Sequence, residues 1–507
     1  MSEHVDALKR RMGAMADLQH LAMLADWDQQ TQMPHGGGEA RAEAMATLER
    51  ISHDRFVDDE TGRLIEGAAD ELSGADSDSD DVRMVRLVRR QYEKARRVPT
   101  ELAADLARAA SAGQEVWVAA RENNDFAAFA PALERNIELA RRYVDCHLGS
   151  DGYQRAYDVL LDDYEPEMKS ETVQALFGEL IAELVPLLGR LREEGTPPDV
   201  SLLGHHAPVA RQRELVAATV AMMGFDPQAW RMDDAVHPFA VRIGPGDVRV
   251  TTRWDEGYFP MGLYGAMHEV GHGLYEAGIP RSLARNPLGS AVSLGVHESQ
   301  SRLWENMVGR GRPFCTVLAP LISDRLGGEL SGVDPEALFR AVNRVTPSLI
   351  RVEADEVTYG LHIALRFELE QRLIEGTLAV SDLPEAWNAR FAELFGIEVP
   401  DDGQGVLQDV HWSGGLIGYF PTYSLGNLIA GQLWAKARDD LPDLDERLAA
   451  GELGPLREWL GAHVHRYGSK YTTTELLARA GLGEISVAPF VSYLKEKLGR
   501  VYQLEAL

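Results

Sequence analysis

His268, Glu269 and His272 form an HEVGH string, and these residue types at this spacing suit hydrolysis at a metal ion. On a helix, two imidazoles four residues apart project from one face and can bind the same ion. Zinc takes neutral imidazoles together with a carboxylate and keeps a fourth position for water. Glu269, one residue along, lies beside that position and is suited to take the water's proton as general base. The bland alternative is a set of polar positions on a solvated helix. Against it stand Gly262, Gly265, Gly271 and Gly273. Each weakens a helix by about 1 kcal/mol relative to alanine, which points to close packing or a cleft wall.

A third protein ligand must come from a second element. In AVSLGVHESQSRLWENM two carboxylates, Glu298 and Glu305, share one helical face, and Glu298 follows His272 at a distance that leaves room for a loop and a returning helix. Glu298 is therefore the expected third ligand. Glu305 either orients a histidine from behind or forms a surface ion pair with Arg302.

The elements that must position these residues read as helices. Pro260 ahead of the HEVGH segment and Gly278 behind it suit a helix start and stop. The segments Val5 to Leu24, Glu101 to Arg121, Phe126 to Cys146, Thr172 to Glu193 and Ile363 to Glu375 repeat apolar residues every three or four positions. The predicted class is mainly α, a single large domain over residues 1–507, with an N-terminal helical part to about residue 200 and a catalytic part from about residue 201. One segment departs from this. AVRIGPGDVRVTTRW, from Ala240, alternates β-branched residues on either side of Pro245-Gly246 and predicts a small β-hairpin or ribbon near residues 240–253. Ser73 to Asp81, Gly195 to Asp199 and Pro400 to Gly405 read as loops.

Composition excludes several classes. A net charge of −28 over 507 residues argues against nucleic acid, whose phosphates call for clustered Lys and Arg. No run approaches the roughly 18 uninterrupted apolar residues of a spanning helix, so no membrane association is expected. MSEHVDALKRRMG lacks the apolar core of a secretory signal. With only Cys146 and Cys315, both read as small buried residues, a disulfide framework is excluded and a cytoplasmic location is expected.

Besides HEVGH, the chain carries DVRVT (from Asp247), HESQ (from His297), IRVEAD (from Ile350) and GVLQDVHW (from Gly405), with DWDQQTQMPHGGGEARAE and DDYEPEM nearer the N-terminus. In order and spacing this set resembles the carboxypeptidase Taq family of metallocarboxypeptidases over nearly the whole chain. Two positions depart from that pattern: Gln30 stands where an acidic residue is common, and Glu167 where a glycine is common. The resemblance implies a mostly helical homodimer with a long groove, of the neurolysin-like and angiotensin-converting-enzyme-like kind. It also implies removal of single C-terminal residues from peptides with a free C-terminus, with broad specificity.

That activity assigns further roles. His411 and Tyr423 resemble the His and Tyr that stabilise the oxyanion in related metallopeptidases, with Tyr419 as the alternative to Tyr423. A free α-carboxylate calls for a fixed bidentate donor, for which Arg351 is the first candidate and Arg249 the second. Arg351 could instead pair with Asp355, four residues along a helix. Asp355, Gln408 and Asp409 are candidates for hydrogen bonds to the histidines or the arginine. Zinc is the expected metal, with cobalt able to substitute. The competing readings are an endopeptidase or oligopeptidase on the same zinc helix, and a catalytically silent, metal-stabilised scaffold.

Overall fold

Each segment with three-and-four periodicity is helical in the computed structural model, which describes residues 3–150, 152–505 and 507. Met1 and Ser2 of the N-terminal stretch, Asp151 and Ala506 lie outside the described residues. The five predicted segments become Glu3–Thr31, Thr100–Glu122, Phe126–Asp145, Ser170–Glu193 and Thr358–Glu375. The last begins ahead of its predicted start because Asp355 accepts hydrogen bonds from the backbone N–H groups of Val357 (2.9 Å) and Thr358 (3.0 Å), capping the helix there. Thr358–Glu375 and Pro421–Asp440 are buried around most of their circumference and form the centre of the core.

Ser170–Glu193 is long and apolar enough to cross a membrane by length and composition, which its interrupting charges concealed in the sequence. Its Leu180 and Leu184 instead pack against Gly360 of the central helix Thr358–Glu375. Gly38–Val57 buries none of its residues within the chain. Cys315 is buried as expected, whereas Cys146 is partly exposed at the end of its helix, its Sγ donating to the Arg142 carbonyl at 3.3 Å.

The predicted hairpin is present as β2 (Ala240–Gly244) and β3 (Asp247–Thr252), antiparallel and joined at Pro245-Gly246, with Gly246 at φ 82°. A strand not foreseen, β1 (Trp230–Asp234), lies parallel to β3 on its other edge, pairing Trp230 with Val248 through Asp234 with Thr252. Its sequence, WRMDD, alternates apolar and charged residues only from Trp230 to Asp233, too short and too charged a run for propensity alone, so pairing with β3 makes it a strand. The sheet lies on the HEVGH helix, where Gly273 leaves space for the Trp230 indole.

Candidate active site

The HEVGH helix runs from Pro260 to Gly278, the predicted bounds. The helix Leu294–Arg302 crosses it closely: a Cβ at Gly271 would stand 2.8 Å from the Ser301 Cα and 2.9 Å from the Gln300 carbonyl. On the far side of that second helix, a Cβ at Gly426 would stand 2.7 Å from the Glu298 side chain. Glycine at these two positions lets the backbones close on Glu298 from both sides.

The result is a three-residue cluster. The Glu298 Oε2 lies 3.5 Å from the His268 Nε2 and 3.4 Å from the His272 Nε2, and one ligand atom from each residue falls within 4.8 Å of the others. Both Nδ1 atoms are already engaged. His268 donates to Glu305 Oε2 at 2.9 Å, and His272 donates to the His297 carbonyl at 3.1 Å. That fixes both tautomers with Nε2 turned toward the shared carboxylate, as metal-ligating histidines require. Burial, with His297 nearby, pushes His272 down to about 3, so it is neutral. Burial alone would protonate Glu298, but Arg302, His268 and His272 outweigh it and hold the carboxylate ionised. Its Oε1 accepts from Arg302 Nε at 2.6 Å and its Oε2 from Ser301 Oγ at 2.9 Å. The donor set, two imidazoles and one carboxylate, fits a divalent cation with an open position.

Glu305 orients His268 and is also paired: Arg310 lies at 3.1 Å and Arg302 at 3.6 Å. The two readings of this residue are thus both realised, except that the arginine pairs are buried and not at the surface. Glu305 does not continue the helix of Glu298 regularly. It sits in a π-helical turn, Leu303–Gly309, in which the Arg310 N–H reaches back to the Glu305 carbonyl at 3.1 Å. Such turns cluster at functional sites.

Glu269 is buried, and burial pushes its carboxyl up to about 7. His411 and Tyr423 are brought together, the His411 Nε2 lying 3.1 Å from the Tyr423 hydroxyl. The Tyr419 ring lies 5.3 Å from His411 and 5.4 Å from Tyr423.

Arg351 departs from its sequence reading in one respect: it lies in a short 3-10 turn, not a helix, and pairs with Asp409 in place of Asp355, which is occupied as a helix cap. Its Nε and Nη2 donate to Asp409 Oδ1 at 2.9 and 2.7 Å, its Nη1 to the Tyr359 hydroxyl at 3.1 Å, and its backbone N–H to Gln408 Oε1 at 2.8 Å. A guanidinium has five N–H groups. These contacts use one each on Nε, Nη1 and Nη2 and leave one N–H on each terminal nitrogen, enough for a two-point hold on a carboxylate.

Asp409 also accepts from Arg366 Nε at 2.7 Å and lies 3.9 Å from His411 Nδ1. Of the three polar candidates, Gln408 and Asp409 serve the arginine and Asp355 serves the helix start. Arg249 is engaged elsewhere: Asp247 takes its Nε and Nη2 at 2.9 Å each, and it stacks on Trp27 at 4.2 Å, with Arg231 on the same ring at 4.6 Å. It ties the N-terminal helix to the sheet.

Sequence reasoning missed several participants. Arg302 stands four residues beyond Glu298, a spacing that could have signalled their pairing. Glu370 is a fully buried carboxylate on the central helix Thr358–Glu375. It accepts from Trp412 Nε1 (2.7 Å), the Gly418 N–H (3.1 Å) and the Tyr157 hydroxyl (2.5 Å), fastening both ends of the segment that follows His411. Tyr359 gave no signal. At the two departures from the family pattern, Glu167 adopts φ 70°, the left-handed region in which glycine is unstrained, and Gln30 donates to Asp26 at 2.9 Å. A cavity of about 750 Å³, lined by Arg86, Arg90, Tyr153, Asp162 and Lys169 among others, shares no residue with the site.

The family described as carboxypeptidase Taq (M32) metallopeptidase matches residues 7–498. The chain is 43% identical to a thermostable carboxypeptidase 1 of Thermus thermophilus, covering 96% of each protein. It is 35% identical to carboxypeptidase 1 of Bacillus subtilis, covering 99% of this chain and 98% of the relative. Among solved structures, an M32 carboxypeptidase from Deinococcus radiodurans superposes with a TM-score of 0.93 at 36% identity, over 99% of this chain and 100% of the other.

Proposed function

This chain belongs to the carboxypeptidase Taq family of metallopeptidases, and we propose that it uses zinc to remove single C-terminal residues from peptides with broad specificity. The observation that carries this reading is the pairing of a largely buried three-ligand cluster with an arginine whose contacts leave one N–H on each terminal nitrogen. His268, His272 and Glu298 would hold the metal, and cobalt suits the same donors. When bound, the ion supplies a Lewis acid for the scissile carbonyl and lowers the pKa of the attacking water.

The protein's own residues do the rest. Glu269 takes the water's proton on its carboxylate and passes it to the leaving amine, a role suited to a carboxyl raised by burial toward neutrality. Tyr423 donates a hydrogen bond to the oxyanion, and His411, bonded through Nε2 to the Tyr423 hydroxyl, orients that donor. Arg351, fixed in plane by Asp409, receives the substrate's terminal carboxylate, with Arg249, held by Asp247 and stacked on Trp27, as the second candidate. The free thiols of Cys146 and Cys315 suit a cytoplasmic location. A homodimer is supported by the helix Gly38–Val57, none of whose residues is fully buried within the chain and whose Ile51 is exposed.

The test is to incubate the zinc-loaded protein with a free-acid peptide and its C-terminal amide and follow products by mass spectrometry, with a chelator control. Stepwise loss of single C-terminal residues from the acid alone supports the reading. Internal cleavage of both peptides would make it an endopeptidase, and metal binding without cleavage would leave a scaffold.

A further inference from the structure

We propose that Tyr359 is a positioning residue shared by the two halves of the site: its ring holds Arg302 against Glu298, and its hydroxyl holds Arg351 in the orientation that receives a carboxylate. The second half rests on reading Arg351 as the carboxylate-binding residue. Tyr359 lies in the first turn of Thr358–Glu375 and is buried. The Arg302 guanidinium stacks on its ring at 4.2 Å while its Nε donates to Glu298 Oε1 at 2.6 Å. A cation on an aromatic face shielded from water is held more strongly than one in solvent. The ring thus fixes the arginine that engages one Glu298 oxygen and leaves the other facing both histidines.

At its other end, the Tyr359 hydroxyl accepts from Arg351 Nη1 at 3.1 Å. Asp409 alone pins the Nε and Nη2 side of that guanidinium; the hydroxyl pins the remaining terminal nitrogen and leaves one N–H on each terminal nitrogen for substrate. The Tyr359 ring also meets the Tyr423 ring edge-on, centroids 6.2 Å apart. One side chain therefore touches the groups that set the metal ligand, the carboxylate fork and the oxyanion donor.

Two variants separate the contacts, with the zinc dissociation constant measured by chelator competition and KM measured on a free-acid peptide. Tyr359→Phe keeps the ring and loses the hydroxyl; KM should rise roughly tenfold, the usual worth of a hydrogen bond to a charged group, with zinc affinity and Tm unchanged. Tyr359→Leu loses both, and zinc affinity should fall roughly tenfold in addition. Tyr359→Met takes its place if that protein does not fold. An unchanged KM in the first variant, a loss of zinc affinity there, or an unchanged zinc affinity in the second overturns the shared role. Arg351→Gln is the reference: if it leaves KM unaltered, the carboxylate reading and the hydroxyl's role fall together, while the zinc arm still decides the role of the ring.

Discussion

The candidate metal ligands His268, His272 and Glu298 stand on two helices whose backbones touch at Gly271 and Ser301, whereas Arg351 and His411 hang on irregular chain between helices, braced by buried charges. Geometry is secured differently in the two regions. In the first, helix periodicity places His268 and His272, and close packing at glycine places Glu298. In the second, Asp409 holds two arginines and Glu370 fastens the turns after His411. Local turn hydrogen bonds, such as the Leu416 N–H to the His411 carbonyl at 2.9 Å, shape that segment, but its place against the core depends on carboxylates that must find their donors when the chain folds.

If the halves are separable in this way, substitutions should divide into those that abolish turnover with metal retained and those that loosen the metal. Glu269→Gln should lower kcat by roughly a thousandfold, the scale of a lost general base, with zinc affinity unchanged by chelator competition. Tyr423→Phe should lower kcat roughly a hundredfold through the missing oxyanion donor, again with zinc retained. Glu305→Gln lies on the other side of the division: it removes the carboxylate behind His268 and should weaken zinc binding about 10- to 100-fold. A loss of zinc in the Tyr423 variant would show that the halves are not separable.

The smallest effect concerns the brace itself. Burial raises the Glu370 carboxyl from 4.5 to about 7. A carboxyl with a raised folded-state pKa stabilises the fold fully below its unfolded value, and that contribution is lost as pH climbs through the folded value. Unfolding free energy should therefore carry a downward slope between about pH 4.5 and 7 that Glu370→Gln makes shallower, as measured by denaturant titrations across that range.

The same contrast explains what the sequence disclosed. The HEVGH ligands, Glu298 and the hairpin were legible because fixed periods convert spacing into position. His411, Tyr423 and Arg351 came only from resemblance, since separation along irregular chain carries no geometry. β1 was hidden because its charged residues gain strand form only from β3. Arg351 was misplaced onto a helix because four-residue spacing to Asp355 imitates a helical pair, although Asp355 caps the following helix. Tyr359 and Glu370 were invisible because each works through residues distant in sequence.

The central claim is that this site reads a free C-terminal carboxylate through Arg351. It is tested most directly by comparing kcat/KM on a free-acid peptide and its amide in the zinc-loaded wild type and in Arg351→Gln. The wild type should prefer the acid by roughly a hundredfold or more, the scale of a buried, hydrogen-bonded charge pair, and the preference should collapse toward parity in the variant. Equal cleavage of both peptides by the wild type, or a preference that survives the substitution, would contradict it.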